Sequence, residues 1–264
     1  MPTPDNSTSP MLTGRHALVT GASRGIGAAI ARALTDSGAR VTLLGRDEDL
    51  LRAGVAEGTG AAYVTADVTD AVTVATAFAT AVGEGGPIDV LVNNAGSVET
   101  KAFLRAEPAA FQRMFDVHVL GAIHATRLVL PGMIERGFGR IVNVGSTASL
   151  QGHRYISAYC VAKHALLGLT RALAVEVAKT GVTVNAVCPG YTETEMVRGS
   201  LEKTAAKTGR PYSELLGEIL GDNPLGRLVR PEEVAAAVIW LCGEGAASIT
   251  GQAIPIDGGE TAGR

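Results

Sequence analysis

Aromatic side chains are scarce in this chain: only 4% of its 264 residues are Phe, Trp or Tyr. That removes the stacking platforms on which single-stranded nucleic acid is usually held. A positive excess is missing as well, since 23 basic residues face 26 acidic ones and the formal charge is −3. Nucleic acid needs a clustered positive surface, so no nucleic-acid partner is expected. Cysteine occurs three times, as Cys160, Cys188 and Cys242, at wide spacing and with no CxxC. Such a set supports neither a disulfide framework nor a zinc site, so no metal is expected and a reducing, cytoplasmic compartment is. Near the end of the chain, the longest apolar stretch, 234–243, is about half of what a bilayer requires, so no membrane partner is expected. The opening residues MPTPDNSTSP have no basic start and no apolar core. They do not resemble a signal peptide, and residues 1–11 are expected to form a disordered tail.

Glycine and apolar residues are what the chain has in quantity: 33 glycines, and an apolar fraction of 46%. The glycines follow no three-residue period, which excludes collagen and points to tight turns and close backbone approaches. Short β-rich runs occur at 17–20, 41–44, 62–65, 90–92, 141–144, 182–187 and 253–256. Helix-patterned segments rich in Ala and Leu lie between them, at 25–37, 71–82, 109–136 and 157–180. Strands alternating with helices predict βαβ units, hence a single α/β domain of the doubly wound, Rossmann type with a parallel sheet. The strands are nearly continuous apolar runs, as expected where both sheet faces are buried. The rhythm breaks only over 191–228, where charged residues and glycines replace it. That excursion is expected to be a substrate lid, the alternative being a solvated surface loop. Pro231, followed by Glu232 and Glu233, marks the start of another helix.

The first strand runs into Gly21-Ala22-Ser23-Arg24-Gly25-Ile26-Gly27 and then a helix. A glycine-rich turn there gathers backbone N–H groups and the positive helix end at one point, which suits a pyrophosphate. The spacing is G-x3-G-x-G rather than the more familiar G-x-G-x-x-G. Further on, Ser146 closes the fifth strand, Tyr159 follows on a helix, and Lys163 stands four residues later. Positions i and i+4 share a helix face, so Tyr159 and Lys163 point the same way. A tyrosine of pKa near ~10 is a poor acid–base group at neutral pH, and a neighbouring ammonium, together with the positive nicotinamide of an oxidised cofactor, favours its phenolate. A serine hydroxyl can then hold a substrate oxygen. The alternative for Tyr-x-x-x-Lys is an ordinary surface pair.

Together these motifs resemble the short-chain dehydrogenase/reductase family over about residues 12–259. The motifs are Thr20-Gly21-x-x-x-Gly25-Ile26-Gly27, Asp67, Asn93-Asn94-Ala95-Gly96, Ser146, Tyr159-x-x-x-Lys163 and Pro189-Gly190. The resemblance implies a seven-stranded sheet in one domain spanning 12–264, a homotetramer, and hydride transfer between a nicotinamide and a carbonyl or alcohol carbon. It makes Tyr159 the acid in reduction, Ser146 the group that orients the carbonyl, and Lys163 the group that lowers the tyrosine pKa and binds the nicotinamide ribose. Gly21, Ser23, Arg24, Gly25, Ile26 and Gly27 would hold the cofactor phosphates. Asp67 and Val68 would meet the adenine, with helix capping the alternative for Asp67. Asn94, Ala95 and Gly96 would line the adenosine side; Pro189, Gly190, Thr192 and Thr194 would shape the nicotinamide pocket, Thr194 fitting the family spacing better than Thr192. One position departs from the pattern. Where the family carries Asn in Val-Asn-x-x-Gly, this chain has His118. His118 is therefore placed with the catalytic set, as a support of the proton relay through its backbone or as a group titrating near neutral pH; a packed histidine with no role is the alternative.

The cofactor is expected to be NADP(H). An acid at the end of the second strand would bind the ribose hydroxyls of NAD and repel a 2′-phosphate. Gly45 stands there, followed by Arg46, and Arg24 lies in the glycine turn. The expected activity is NADPH-dependent reduction of a small carbonyl substrate, a 3-oxoacyl thioester or a cyclic or aryl ketone, to a secondary alcohol. The alternatives are an NAD-dependent secondary alcohol or 3-hydroxyacyl-CoA dehydrogenase, a non-catalytic dinucleotide-binding regulator, and a structural or partner-binding subunit. The similarity is greatest to 3-oxoacyl thioester reductases and aromatic polyketide ketoreductases. Gly137 and Thr180 fall where carrier-protein-dependent members often have arginines, which weighs against a carrier-bound substrate. The pocket walls are expected from 97–103, 150–155 and 191–228.

Overall fold

Apolar residues at consecutive strand positions require cover on both faces of a sheet, and the fold provides it. The computed structural model describes residues 11–262 except 222. Its strands are His16–Thr20 (β1), Arg40–Gly45 (β2), Ala62–Thr65 (β3), Val90–Asn93 (β4), Gly139–Val144 (β5), Val182–Pro189 (β6) and Ala253–Ile256 (β7). They form one seven-stranded sheet in the order β3-β2-β1-β4-β5-β6-β7, parallel at every pairing. Every residue of β1, β5 and β6 is buried.

One face is covered by Gly25–Asp36 (α1), Glu48–Ala56 (α2) and Pro231–Cys242 (α9), with Ile30, Leu34, Leu51, Val234 and Val238 in its core. The other carries Ala71–Gly85 (α3), Gly121–Glu135 (α5) and Ser157–Val177 (α6), packed through Phe78, Val129, Met133 and Val177. Pro108–Phe115 (α4) adds Met114 to a smaller cluster with Ala158 and Ala162 of α6. Glu195–Thr208 (α7) and Tyr212–Gly221 (α8) make up most of the 191–228 excursion, and each buries a single side chain, Leu201 and Leu215.

Two sequence expectations change. Helix α2 was not expected. Its only buried residue is Leu51, so it leaves no apolar stripe to read, and it is started by Asp47, which accepts from the Leu50 N–H. The single helix expected over 109–136 is interrupted at Asp116–Leu120 by a π turn, in which the Gly121 N–H donates to the Asp116 carbonyl. The turn shifts the register so that His118 and Val119 point inward. Uninterrupted, Pro108–Glu135 has the length and the mean hydropathy, 1.4, to cross a membrane; here Ala122, Ala125, Val129 and Met133 pack inside the protein. The tail expected over 1–11 lies outside the described residues except for the exposed Met11.

The chain winds outward from β1 to β2 and β3, then returns to lay β4 on the other side of β1. That reversal opens a crevice beyond the carboxyl ends of β1 and β4, the usual ligand position in such sheets.

Candidate active site

The crevice is a cleft of about 1610 Å³. Every residue singled out from the sequence lies on its wall. At one end stand Arg24, Arg46, Asp67 and Val68; in the middle the turn Gly21, Ser23, Gly25, Ile26 and Gly27 faces Asn94, Ala95 and Gly96; at the other end are His118, Ser146, Tyr159, Lys163, Pro189, Gly190, Thr192 and Thr194.

Backbone geometry explains the glycine turn. Gly21 and Gly25 have φ of +64° and +57°, in the left-handed region. A Cβ on Gly27 would lie 2.2 Å from the Gly21 carbonyl oxygen, so only glycine lets α1 start this close to β1. Asn94 fixes the turn to the end of β4 by donating from Nδ2 to the Thr20 and Gly21 carbonyls, both at 3.0 Å. The residue before α1, Arg24, makes no side-chain cap, so the first-turn N–H groups have no side-chain acceptor and can meet a phosphate. Thr194 caps α7 and brings its methyl group against Gly25. Thr192 is buried and bonds the Gly190 carbonyl at 3.0 Å. The shape and the unsatisfied donors fit a dinucleotide.

At the adenosine end the two arginines are already paired. Arg24 lies 3.6 Å from Glu195, and Arg46 lies 3.5 Å from Asp67. Asp67 also accepts from the Thr69 N–H and hydroxyl, and these bonds with Arg46 hold its carboxyl below the usual range despite burial acting the other way. Capping of α3, the alternative weighed for Asp67, is done by Asp70. Two acids follow Arg46 at the end of β2, and both line the cleft. Asp47 is committed to capping α2, and Glu48 accepts from Arg52 and from the Tyr63 hydroxyl.

At the other end Ser146 follows β5. Its Oγ accepts from the Ala148 N–H at 3.1 Å, and its own N–H donates to Ser149 Oγ at 3.2 Å, which sets the side chain's direction. Tyr159 and Lys163 occupy one face of α6, with Nζ 5.5 Å from the tyrosine ring centroid. Ser146 and Tyr159 are hydrogen-bonded, yet burial pushes the phenol up to about 12. The expectation that Lys163 and a bound oxidised nicotinamide together lower that pKa concerns the loaded enzyme; in the protein alone the direction is upward. In the protein alone the ammonium is drawn to the Val144 carbonyl, 2.7 Å away, and desolvation dominates the phenol. Burial also pushes Lys163 down to about 8. Tyr159 is therefore a protonated donor at neutral pH.

His118 corrects a sequence expectation. It is 4% exposed, and burial together with the nearby Lys163 charge pushes it down to about 3, so it does not titrate near neutral pH. Its Nε2 meets the Ser97 carbonyl at 2.8 Å, and its ring stands edge-on to Tyr159 with centroids 5.2 Å apart. Gly96 makes room for it, because a Cβ there would lie 2.4 Å from His118 Cε1. His118, Asn93 and Lys163 line an internal cavity of about 10 Å³ beside the cleft. Nδ1 of His118 and Oδ1 of Asn93 are buried there without a protein partner among the described residues.

Some participants escaped the sequence reading. Asn93 and Asn143 face each other across β4 and β5, with Nδ2 of Asn93 2.8 Å from Oδ1 of Asn143, and Asn143 donates to Thr170 of α6 at 2.8 Å. This ladder sets the height of α6, and its signal was an asparagine inside each of two apolar strands. Arg113, Met114 and Asp116 of the interrupted helix also reach the wall, for which no sequence pattern gave warning. The wall from the loop after Ser146 comprises His153, Arg154, Tyr155 and Ile156, not the whole of 150–155, because Gln151 turns away to donate to Glu260 at 2.9 Å. The wall from the loop after β4 covers 97–100 and stops short of Phe103.

The chain is similar to known proteins along nearly its whole length. A family model described as enoyl-(acyl carrier protein) reductase matches residues 21–261. A D-beta-hydroxybutyrate dehydrogenase of Cupriavidus necator is 38% identical over 254 residues, covering 94% of this chain and 98% of that protein. An acetoacetyl-CoA reductase of Shinella zoogloeoides is 40% identical over 247 residues, covering 93% and 98%. The crystal structure of an actinorhodin polyketide ketoreductase variant with NADPH superimposes with a TM-score of 0.89 at 40% identity, covering 93% of this chain and 97% of that one.

Two consequences of burial are measurable. Lys163 releases its proton near pH 8 in the fold and near 10.5 when unfolded, so stability rises as pH climbs through that window. Lys163→Met lacks this gain, and relative to the variant the parent should gain up to about 3 kcal/mol between those limits. Denaturant unfolding at several pH values checks this; a pH-independent difference would contradict it. For His118 the signs place the effect in acid. The unfolded chain takes up a proton below 6.5 that the fold refuses until about 3, so stability is lost as pH falls through that range. His118→Asn should lower the acid-unfolding midpoint and leave the pH–rate profile between about 6 and 8 unchanged. A displaced profile would restore a titrating role.

Proposed function

The chain belongs to the short-chain dehydrogenase/reductase family, and we propose that within it the protein is an NADPH-dependent ketoreductase making a secondary alcohol from a 3-oxoacyl thioester or a cyclic or aryl ketone. The observation that carries this reading is the convergence of Ser146, Tyr159 and, one turn on, Lys163 at the end of the cleft opposite Arg46, with the glycine turn between them. A bound nicotinamide dinucleotide supplies the hydride. The chain's own residues do the rest. Ser146 holds the ketone oxygen by hydrogen bonding, and the protonated Tyr159 donates a proton to that oxygen as charge develops there. Lys163 places a charge beside the phenol and favours the phenolate left behind. The cavity shared by Lys163, Asn93 and His118 has room for about one water, which would return a proton through Lys163 to Tyr159. His118 then serves as a neutral wall of that route.

The substrate end pairs polar His153 and Arg154 with apolar Met196, Leu201, Leu215 and Ile219 of α7 and α8. That combination suits an acyl or cyclic ketone with a polar end, and the sparse burial of α7 and α8 suits a lid over 191–228. The acetoacetyl-CoA reductase supports a 3-oxoacyl thioester. The hydroxybutyrate dehydrogenase favours the second reading, oxidation of a 3-hydroxy acid with NAD; against it, β2 ends in Gly45 and Arg46 rather than in a free acid. The three buried free thiols support a cytoplasmic setting. A homotetramer is supported by Leu128 of α5 and Val161 and Val175 of α6, which are 44%, 54% and 81% exposed on helices that could pair with another copy.

Tyr159→Phe keeps the ring and removes the proton, and turnover should fall by about 10²–10⁴ with NADPH affinity nearly unchanged. Steady-state rates over a panel of 3-oxoacyl thioesters and ketones decide this, and turnover within a factor of two of the parent would refute the mechanism. A charge-assisted hydrogen bond contributes about 1.5–3 kcal/mol, and less where it is exposed and shared with a carboxylate. Two arginines should therefore favour NADPH over NADH by about 10–100-fold in kcat/KM. A Cβ at Gly45 meets Leu51 at 3.4 Å, so Gly45→Asp with Arg46→Ile is tolerated and should move the preference toward NADH. Equal use of both cofactors by the parent would show that the arginines do not read the phosphate. Light scattering at micromolar concentration should return the mass of four chains; a monomer would rule out the assembly.

A further inference from the structure

Glu260 stands just past the two glycines after β7, in a part of the chain that the chemistry above does not use. Its side chain is 2% exposed. A carboxylate so buried requires partners, and among the described residues two of them come from the loop after Ser146. Gln151 Nε2 donates to its Oε1 at 2.9 Å, and His153 Nε2 lies 3.7 Å from the same oxygen. His153 Nε2 is also 3.3 Å from the hydroxyl of Thr147, the residue next to Ser146. Oε2 lies against the Pro189–Gly190 wall, where a Cβ on Gly190 would approach it to 3.0 Å.

The turn that carries Glu260 is itself locked. Asp257 accepts from the Gly259 N–H at 2.9 Å and from the Thr261 N–H and hydroxyl at 2.9 and 2.6 Å. The Leu225 N–H donates to the Gly258 carbonyl at 3.2 Å, and Asn223 and Pro224 pack on Gly258 and Gly259. The loop after Ser146, the Pro189–Gly190 wall and the far end of the 191–228 segment therefore meet on one turn. The loop needs such an anchor. Its Tyr155 has φ of +68°, a left-handed conformation that a side chain holds only where surrounding contacts enforce it.

We infer that Glu260 is a positioning residue for the substrate pocket, clamping Gln151 and His153 so that the loop after Ser146 stays seated against the Pro189–Gly190 wall. The inference rests on the ketoreductase reading of the cleft. Removing the carboxylate unseats His153, a wall of the substrate end, and through Thr147 loosens the backbone that aims Ser146. The glycine turn is held by Asn94 and Thr20 and is untouched.

The test uses the full-length enzyme with NADPH and its best ketone. Glu260→Ala should lower kcat/KM about 10–100-fold, mainly through KM, with the NADPH Kd within about twofold of the parent. Glu260→Gln keeps an acceptor for Gln151 and should recover to within about threefold. Hydrogen exchange should quicken over 147–156 in Glu260→Ala and stay unchanged over 16–36. Gln151→Ala, which alters no cleft-wall residue, should show a smaller effect of the same kind and serves if Glu260→Ala fails to fold. Glu260→Ala and Gln151→Ala with parental kcat, KM and loop exchange would overturn the inference, as would a lowered Tm with unchanged KM and exchange. If Tyr159→Phe is as active as the parent, or the parent reduces no ketone, the functional reading fails, while the exchange data still decide whether Glu260 anchors the loop.

Discussion

Burial of the parallel sheet on both faces governs everything else in this protein. Strands whose side chains all meet helices leave no room for polar chemistry along their length, so reactive groups collect where the strands end. The crevice between β1 and β4 gathers the glycine turn, the Asn94–Gly96 segment and the Ser146 loop for that reason. A polar ladder inside the protein, Asn93 to Asn143 to Thr170, links β4 and β5 to α6. Tyr159 and Lys163 take their height above the sheet from it.

The same burial tunes the site. Desolvation penalises whichever form of a group is charged, so one cause moves three side chains in chemically different senses. It keeps Tyr159 protonated, makes Lys163 a weaker base than a surface lysine, and holds His118 neutral. An acid at the floor of a cleft and a neutral wall behind it result without any carboxylate at the centre. The cost is a buried ammonium held by the Val144 carbonyl.

The cleft is closed by side chains far apart in the chain. Arg24 of the glycine turn meets Glu195 of α7, and Glu260 near the end of the chain holds the loop that follows Ser146. Contacts of this kind connect the cofactor end, the excursion over 191–228 and the substrate end into one mechanical unit. They depend on where loops return, and loops have the freest geometry in an α/β fold.

What the sequence determined by itself is whatever depends on near neighbours in the chain. Continuous apolar runs imply buried parallel strands, the spacing of Gly21, Gly25 and Gly27 implies a phosphate turn, and the offset of four from Tyr159 to Lys163 implies one helix face. All of these follow from backbone periodicity. The π turn at Asp116–Leu120, the nine-residue helix α2, the neutral state of His118, the upward shift of Tyr159 and the turning of Gln151 toward Glu260 were not legible. Each is decided by desolvation or by a contact across many tens of residues, and neither quantity exists until the chain has folded and excluded water. Residue types told which chemistry was available; tertiary packing decided which protonation state each group holds and which neighbour it answers to.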